Sequence, residues 1–208
     1  MQPGRIRAGL PALALALVLA GQGPMPAPAA EFDDPDWPCI QRKVPSLSIG
    51  QMWSGPMPEG DWRDTPAIGA LARELAPRRT PLEEVEARAA EFAAGLDEDD
   101  RAEAQGELFA AILSRIDSER GQLIAGIGRY ARNQTRLSDQ IEGLQGELAA
   151  LDAAPDTDPA RIEELEEVLI WQARIFTERA QALTYVCETP VLLEQRAFAI
   201  ARALSELL

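Results

Sequence analysis

The sequence predicts an all-α protein: a helical bundle base, a protruding antiparallel coiled-coil hairpin, and an irregular N-terminal strap. Three observations carry that reading. Apolar residues recur in alternating steps of three and four over 99–153 and again over 159–187, the spacing of one narrow seam on each of two helices. Only 5% of the residues are aromatic, and the apolar content is dominated by Ala and Leu. Proline and tryptophan crowd into the segment before residue 64, which excludes a long helix there.

Residues 1–29 read as a secretory signal. Arg5 and Arg7 give a positive start, 8–20 form an apolar core, and Ala27, Pro28 and Ala29 precede the expected cleavage point. The apolar run is well short of the ~20 residues a membrane span needs, and no later stretch is apolar enough to serve as a stable span. The mature chain is expected to be exported, to a bacterial periplasm. It holds 18 basic against 34 acidic residues once Arg5 and Arg7 are removed, a net charge of −16. Such an excess argues against nucleic acid and against an anionic membrane surface as partner.

Residues 30–63 form the strap. Trp37, Trp53 and Trp62 lie in it, with Pro38, Pro45, Pro56 and Pro58, and the pattern leaves room for one short turn over 46–53. A segment of this kind cannot build a core by itself and needs a helical surface to cover. Cys39 in the strap and Cys187 at the end of the second long helix are the two cysteines. In an exported chain such a pair is expected to form one disulfide, against the alternatives of a redox-active pair or two free thiols.

Residues 64–208 form the bundle and hairpin. Thr65 and Pro66 open a helix that Pro77 closes. Thr80, Pro81 and Glu83 match a capping box with proline at the first helical position, and the helix that follows is expected to reach residue 96. Asp97, Glu98, Asp99 and Asp100 open the long helix, where acids suit the positive end of its dipole. A calcium loop is rejected there: Arg101 and Ala102 stand where a ligand and the turn glycine belong. The seam then runs through Phe109, Ile112 and Ile116, stutters near Glu119, and resumes at Leu123. Gly121, Gly126 and Gly128 cluster at the stutter, and they are expected either to make room for the strap or to form a flexible joint.

The upper hairpin, about 127–186, folds back on itself. Pro155 stops the first arm, Asp158 is the expected N-cap of the second, and Pro159 its first residue. Pairing the seams puts Leu148 against Leu165, Leu144 against Leu169, Leu137 against Phe176, and Gln134 against Arg179. That last layer is polar. It can fix register, or Arg179 can lay its stem along the seam with its head in water. Thr189 and Pro190 are expected to break or kink the second arm and start a new helix, although Leu193, Ala197, Ile200 and Leu204 hold the same phase.

Several chemistries are excluded. Without histidine there is no Ser-His-Asp or Cys-His nucleophile and no imidazole metal site. No phosphate-binding glycine loop is present, and the carboxylates of Glu163, Glu164, Glu166 and Glu167 suit a solvated helix face. No enzymatic activity, metal or cofactor is expected. The expected function is that of a non-enzymatic interaction or scaffold protein, binding a protein partner or a second copy through its hairpin. The alternative is a small-ligand or accessory binding protein, with Trp37, Arg42, Lys43 and Trp53 of the strap as contacts; structural covering is the favoured role for those residues.

Overall fold

The computed structural model describes residues 34–208; the expected signal, 1–29, lies outside the described residues. The regular structure among them is helical, which makes the protein all-α. The elements are α1 (Ile49–Met52), a 3-10 turn (Trp62–Asp64), α2 (Pro66–Leu75), α3 (Leu82–Ala94), α4 (Glu98–Asp152) and α5 (Pro159–Ser205). At 1.5 Å per residue, the 55 residues of α4 extend about 80 Å, and α5 returns along most of that length.

The turn between the long helices is held by its own side chains. Thr157 Oγ1 donates to the carbonyl of Leu151 at 2.6 Å. The Asp158 carboxylate caps α5 by accepting from the Ala160 amide at 3.0 Å, and Pro159 occupies the first turn. Lower on the hairpin, Tyr130 donates its hydroxyl to the Arg179 carbonyl, and Gln134 Nε2 donates to the Phe176 carbonyl at 3.1 Å.

Of the two readings of the Gln134–Arg179 layer, no side-chain bond joins the pair, and the exposed Arg179 fits the alternative with its head in water. Gln134 finds a main-chain acceptor one turn earlier, and Arg179 takes part through its carbonyl while the residue stays exposed. Withdrawing a guanidinium from water into a seam without a carboxylate partner would cost more than this arrangement.

Below the hairpin lies the core. Phe109, Ile112 and Ile116 of α4 are buried with Leu193, Ala197, Ile200 and Leu204 of α5, Ile68, Leu71 and Leu75 of α2, and Val85 and Ala89 of α3. The α5 helix runs through Pro190 without interruption, contrary to the break expected there. Because the seam keeps its phase on both sides of Pro190, continuing the helix buries Leu193, Ala197, Ile200 and Leu204, and this outweighs one lost main-chain bond. Thr189 does not cap; its Oγ1 bonds back to the Tyr185 carbonyl at 3.4 Å.

The capping box at Thr80 also fails to form. Pro81 holds the N-cap position of α3, and Thr80 Oγ1 instead donates to the Glu74 carbonyl at 2.8 Å, closing the end of α2. The same helix end receives a side chain from far away. Arg196 donates from Nε to Ala76 O at 2.8 Å and from Nη2 to Leu75 O at 2.7 Å, satisfying carbonyls that helix termination leaves open. Burial, and then the charge of Arg78, pulls the Arg196 guanidinium below its usual range.

The strap descends α4 in antiparallel order. Asp36 pairs with Arg132. Val44 accepts from Arg120, and the Leu47 amide donates to Asp117 Oδ1 at 2.9 Å. Trp53 stacks on Phe109 with ring centroids 5.4 Å apart. The amides of Glu59 and Gly60 both donate to Glu103 Oε1 at 2.7 Å. From Arg132 to Glu103 this path covers about 44 Å of helix.

Candidate interaction surface

The strap residues expected to bind a ligand fall into two separate places. Trp37 and Lys43 come together: Lys43 Nζ lies 5.9 Å from the Trp37 ring centroid, and Trp37 Nε1 donates to the Gln41 carbonyl at 2.7 Å. Lys43 also ion-pairs with Asp34. That bond from Lys43, and then the Asp36 amide, hold the Asp34 carboxyl below its ordinary range. Arg42, between them in sequence, is exposed.

Trp53 does not join this group. It is buried to 7% exposure on Phe109 and donates to the Pro56 carbonyl at 2.7 Å, so it belongs to the core. Asp36 passes Gly128 whereas Trp53 sits on Phe109, and 19 residues of helix put about 28 Å between those points. A groove formed jointly by Trp37 and Trp53 is thereby corrected.

Cys39 and Cys187 are joined, with Cα atoms 5.6 Å apart and 148 residues between them in sequence. Next to the bridge, Pro38, Ile40, Gln41, Leu183, Thr184 and Glu188 line an open groove of about 320 Å³. Ile40 on its rim is 99% exposed.

The glycine cluster at the stutter only partly serves the strap. A Cβ on Gly121 would meet nothing within 4 Å and one on Gly126 only a flexible arginine, while Gly128 passes Asp36 at an ordinary contact distance of 3.7 Å. The close approach lies lower. A Cβ at Gly106 would come 3.2 Å from Pro58 Cδ and 3.4 Å from Pro56 O, so the strap rests on bare helix backbone there.

Another face emerges on α5. Beside the seam that packs on α4, a parallel alternation of three and four runs through Val168, Trp171, Ile175, Glu178, Ala182, Tyr185, Thr189 and Leu192. Most of its large members face solvent: Tyr185 is 76% exposed and Trp171 61%, with Leu192 and Val168 near 40%. Ile175 and Thr189 are half-buried. The stronger seam of Leu165, Leu169, Phe176 and Leu183 claims the helix and masks this stripe in the sequence. The signal was nevertheless present, in residues spaced by seven that the α4 seam does not use.

Among the described residues, no group of three or more Asp, Glu or Cys side chains is placed to hold a metal ion. Nor is any described helix long and apolar enough to cross a membrane. No family model, curated protein or solved structure matches this chain.

Proposed function

We propose that this is an exported, non-enzymatic helical interaction or scaffold protein of the bacterial periplasm, which binds a protein partner or a second copy through its hairpin. The observation that carries the reading is the solvent-facing Trp171–Tyr185 stripe on α5. Tryptophan and tyrosine supply large contact area with little entropy to lose, and they are enriched where proteins meet. The Cys39–Cys187 bridge is compatible with an oxidising compartment. The absence of histidine throughout the sequence supports a role without nucleophile or imidazole chemistry.

Single cysteines placed near the tip, at Leu151 or Ile162, carry a photo-cross-linker for the test. Illumination in periplasmic extract is expected to yield a defined adduct with another protein or with a second chain. A chain that stays unlinked from both positions contradicts the reading.

A second reading has the groove beside the disulfide as its support: a small ligand bound among Pro38, Ile40 and Leu183, with Trp37 and Arg42 adjoining the groove residues Pro38 and Gln41 in sequence. Trp37→Ala and Arg42→Ala would then abolish a ligand-dependent fluorescence change and leave the melting curve in place. Loss of folding in both variants assigns the strap to structure alone.

A further inference from the structure

We infer that the partner covering the outer stripe of α5 is a second copy of this chain, docked antiparallel about a two-fold axis beside Gln181. The inference rests on the reading of the hairpin as a docking element, and it names the occupant.

Val168, Trp171, Ile175, Glu178, Ala182, Tyr185, Thr189 and Leu192 keep a heptad phase over about 36 Å of helix, which matches a partner helix lying alongside. The face is also continuous with one already covered. After Leu192 the next position in phase is Arg196, whose guanidinium is bound to the carbonyls of Leu75 and Ala76. In the base this side of α5 is met by the end of α2. From Leu192 upward, Tyr185, Trp171 and Val168 face solvent.

Self-complementarity selects the occupant. In the antiparallel register centred on residue 180, Trp171 faces the partner's Thr189, Tyr185 faces the partner's Ile175, and Val168 faces the partner's Leu192. Each aromatic ring meets a β-branched side chain, and the two-fold axis repeats every layer. Along one rim, Arg174 comes opposite the partner's Glu188, and the symmetry makes that ion pair twice. Gln181 meets the partner's Gln181 near the axis. On the other rim Arg179 approaches the partner's Arg179, one like-charge contact against the two Arg174–Glu188 pairs. Glu178 is the charged member of the stripe; it holds Arg174 at 2.8 Å within one chain, and opposite the partner's Ala182 it gives a polar layer on each side of the axis, a device that specifies register. An isologous contact requires one surface to complement itself, which the aromatic-to-β-branched layers and the paired Arg174–Glu188 rim supply.

The mature, oxidised chain is studied by sedimentation equilibrium together with Arg174→Glu, Glu188→Arg and the variant carrying both. The expected result is the mass of two chains for the wild type, a shift toward one chain for each single change, and restoration of two by the pair. A symmetric disulfide through Gln181→Cys is expected as an independent report, readable even where a charge variant folds poorly. A wild type with the mass of one chain throughout overturns the inference, as does a double variant that fails to recover. If the tip cross-linker still captures a different protein while the chain sediments alone, the docking function stands and the second copy is eliminated.

Discussion

Arg120 donates from Nη1 to the Val44 carbonyl at 2.6 Å, tying the strap to α4 across 76 residues of sequence. The guanidinium is buried, with Asp117 Oδ1 at 3.9 Å and Glu194 Oε2 at 3.7 Å, so one side chain touches strap, long helix and return helix together. Asp117 completes the join by accepting from the Leu47 amide. Arg120→Ala is expected to destabilise the protein by about 2–4 kcal/mol, since it strands a main-chain acceptor and leaves Glu194 without its counter-charge. Arg120→Lys should recover only part, because a single ammonium cannot reproduce the fork. Urea unfolding measures both.

The glycines of α4 separate a structural constraint from a neutral choice. Gly121, Gly143 and Gly146 have nothing within 4 Å of an added Cβ. Replacement by alanine at any of them should raise stability by about 0.5–1 kcal/mol through helix propensity alone. Gly106→Ala should fail to gain, because its Cβ presses on Pro58 and the Pro56 carbonyl. Thermal melts of the four single variants test the contrast; a clear gain at Gly106 would show that the strap yields easily.

Glu107 gives the pH dependence a sign. Its carboxyl is pushed above the ordinary value of 4.5, chiefly by burial and then by Glu103, Asp61 and Asp64. A raised carboxyl costs stability wherever the unfolded chain would ionise it. That cost is complete above the folded pKa and disappears as pH falls below the unfolded one. Glu107→Gln should therefore raise Tm at neutral pH, with the gain shrinking as pH drops through the carboxylate range. A gain that persists or grows in acid contradicts this assignment.

The disulfide closes a loop of 148 residues, for which the chain-entropy model gives at most about 5 kcal/mol. The intact oxidised chain should be lighter than the reduced one by two hydrogens. Cys39→Ser should lower Tm and expose 34–42 to protease before the helices, because Arg120 and Trp53 still hold the strap lower down. Simultaneous cleavage throughout α4 would instead show that the bridge holds the whole fold.

The elements that local chemistry dictates were legible. The three-four seams mark α4 and α5, Asp158 and Pro159 mark the start of the second, and the cysteine pair marks the strap's anchor. What escaped depends on packing between distant segments. Pro190 resembles a break in isolation, but the buried side chains on either side of it keep the helix whole. Thr80 resembles a cap, yet the end of α2 offers its hydroxyl a carbonyl. Arg120 and Arg196 sit on helices rich in charge, and no spacing rule distinguishes them from solvated arginines; their acceptors lie 76 and about 120 residues away. Trp53 resembled a ligand contact because its stacking partner Phe109 comes from another element.

The Trp171–Tyr185 stripe is proposed as a surface for association and not a piece of the core. The most direct measurement is on the doubly substituted chain, Trp171→Glu with Tyr185→Glu, with melting curve and sedimentation followed side by side. A Tm close to that of the wild type is expected, since both residues are mostly exposed, together with loss of association. A large fall in Tm for the isolated chain, or association that survives both charges, would contradict it.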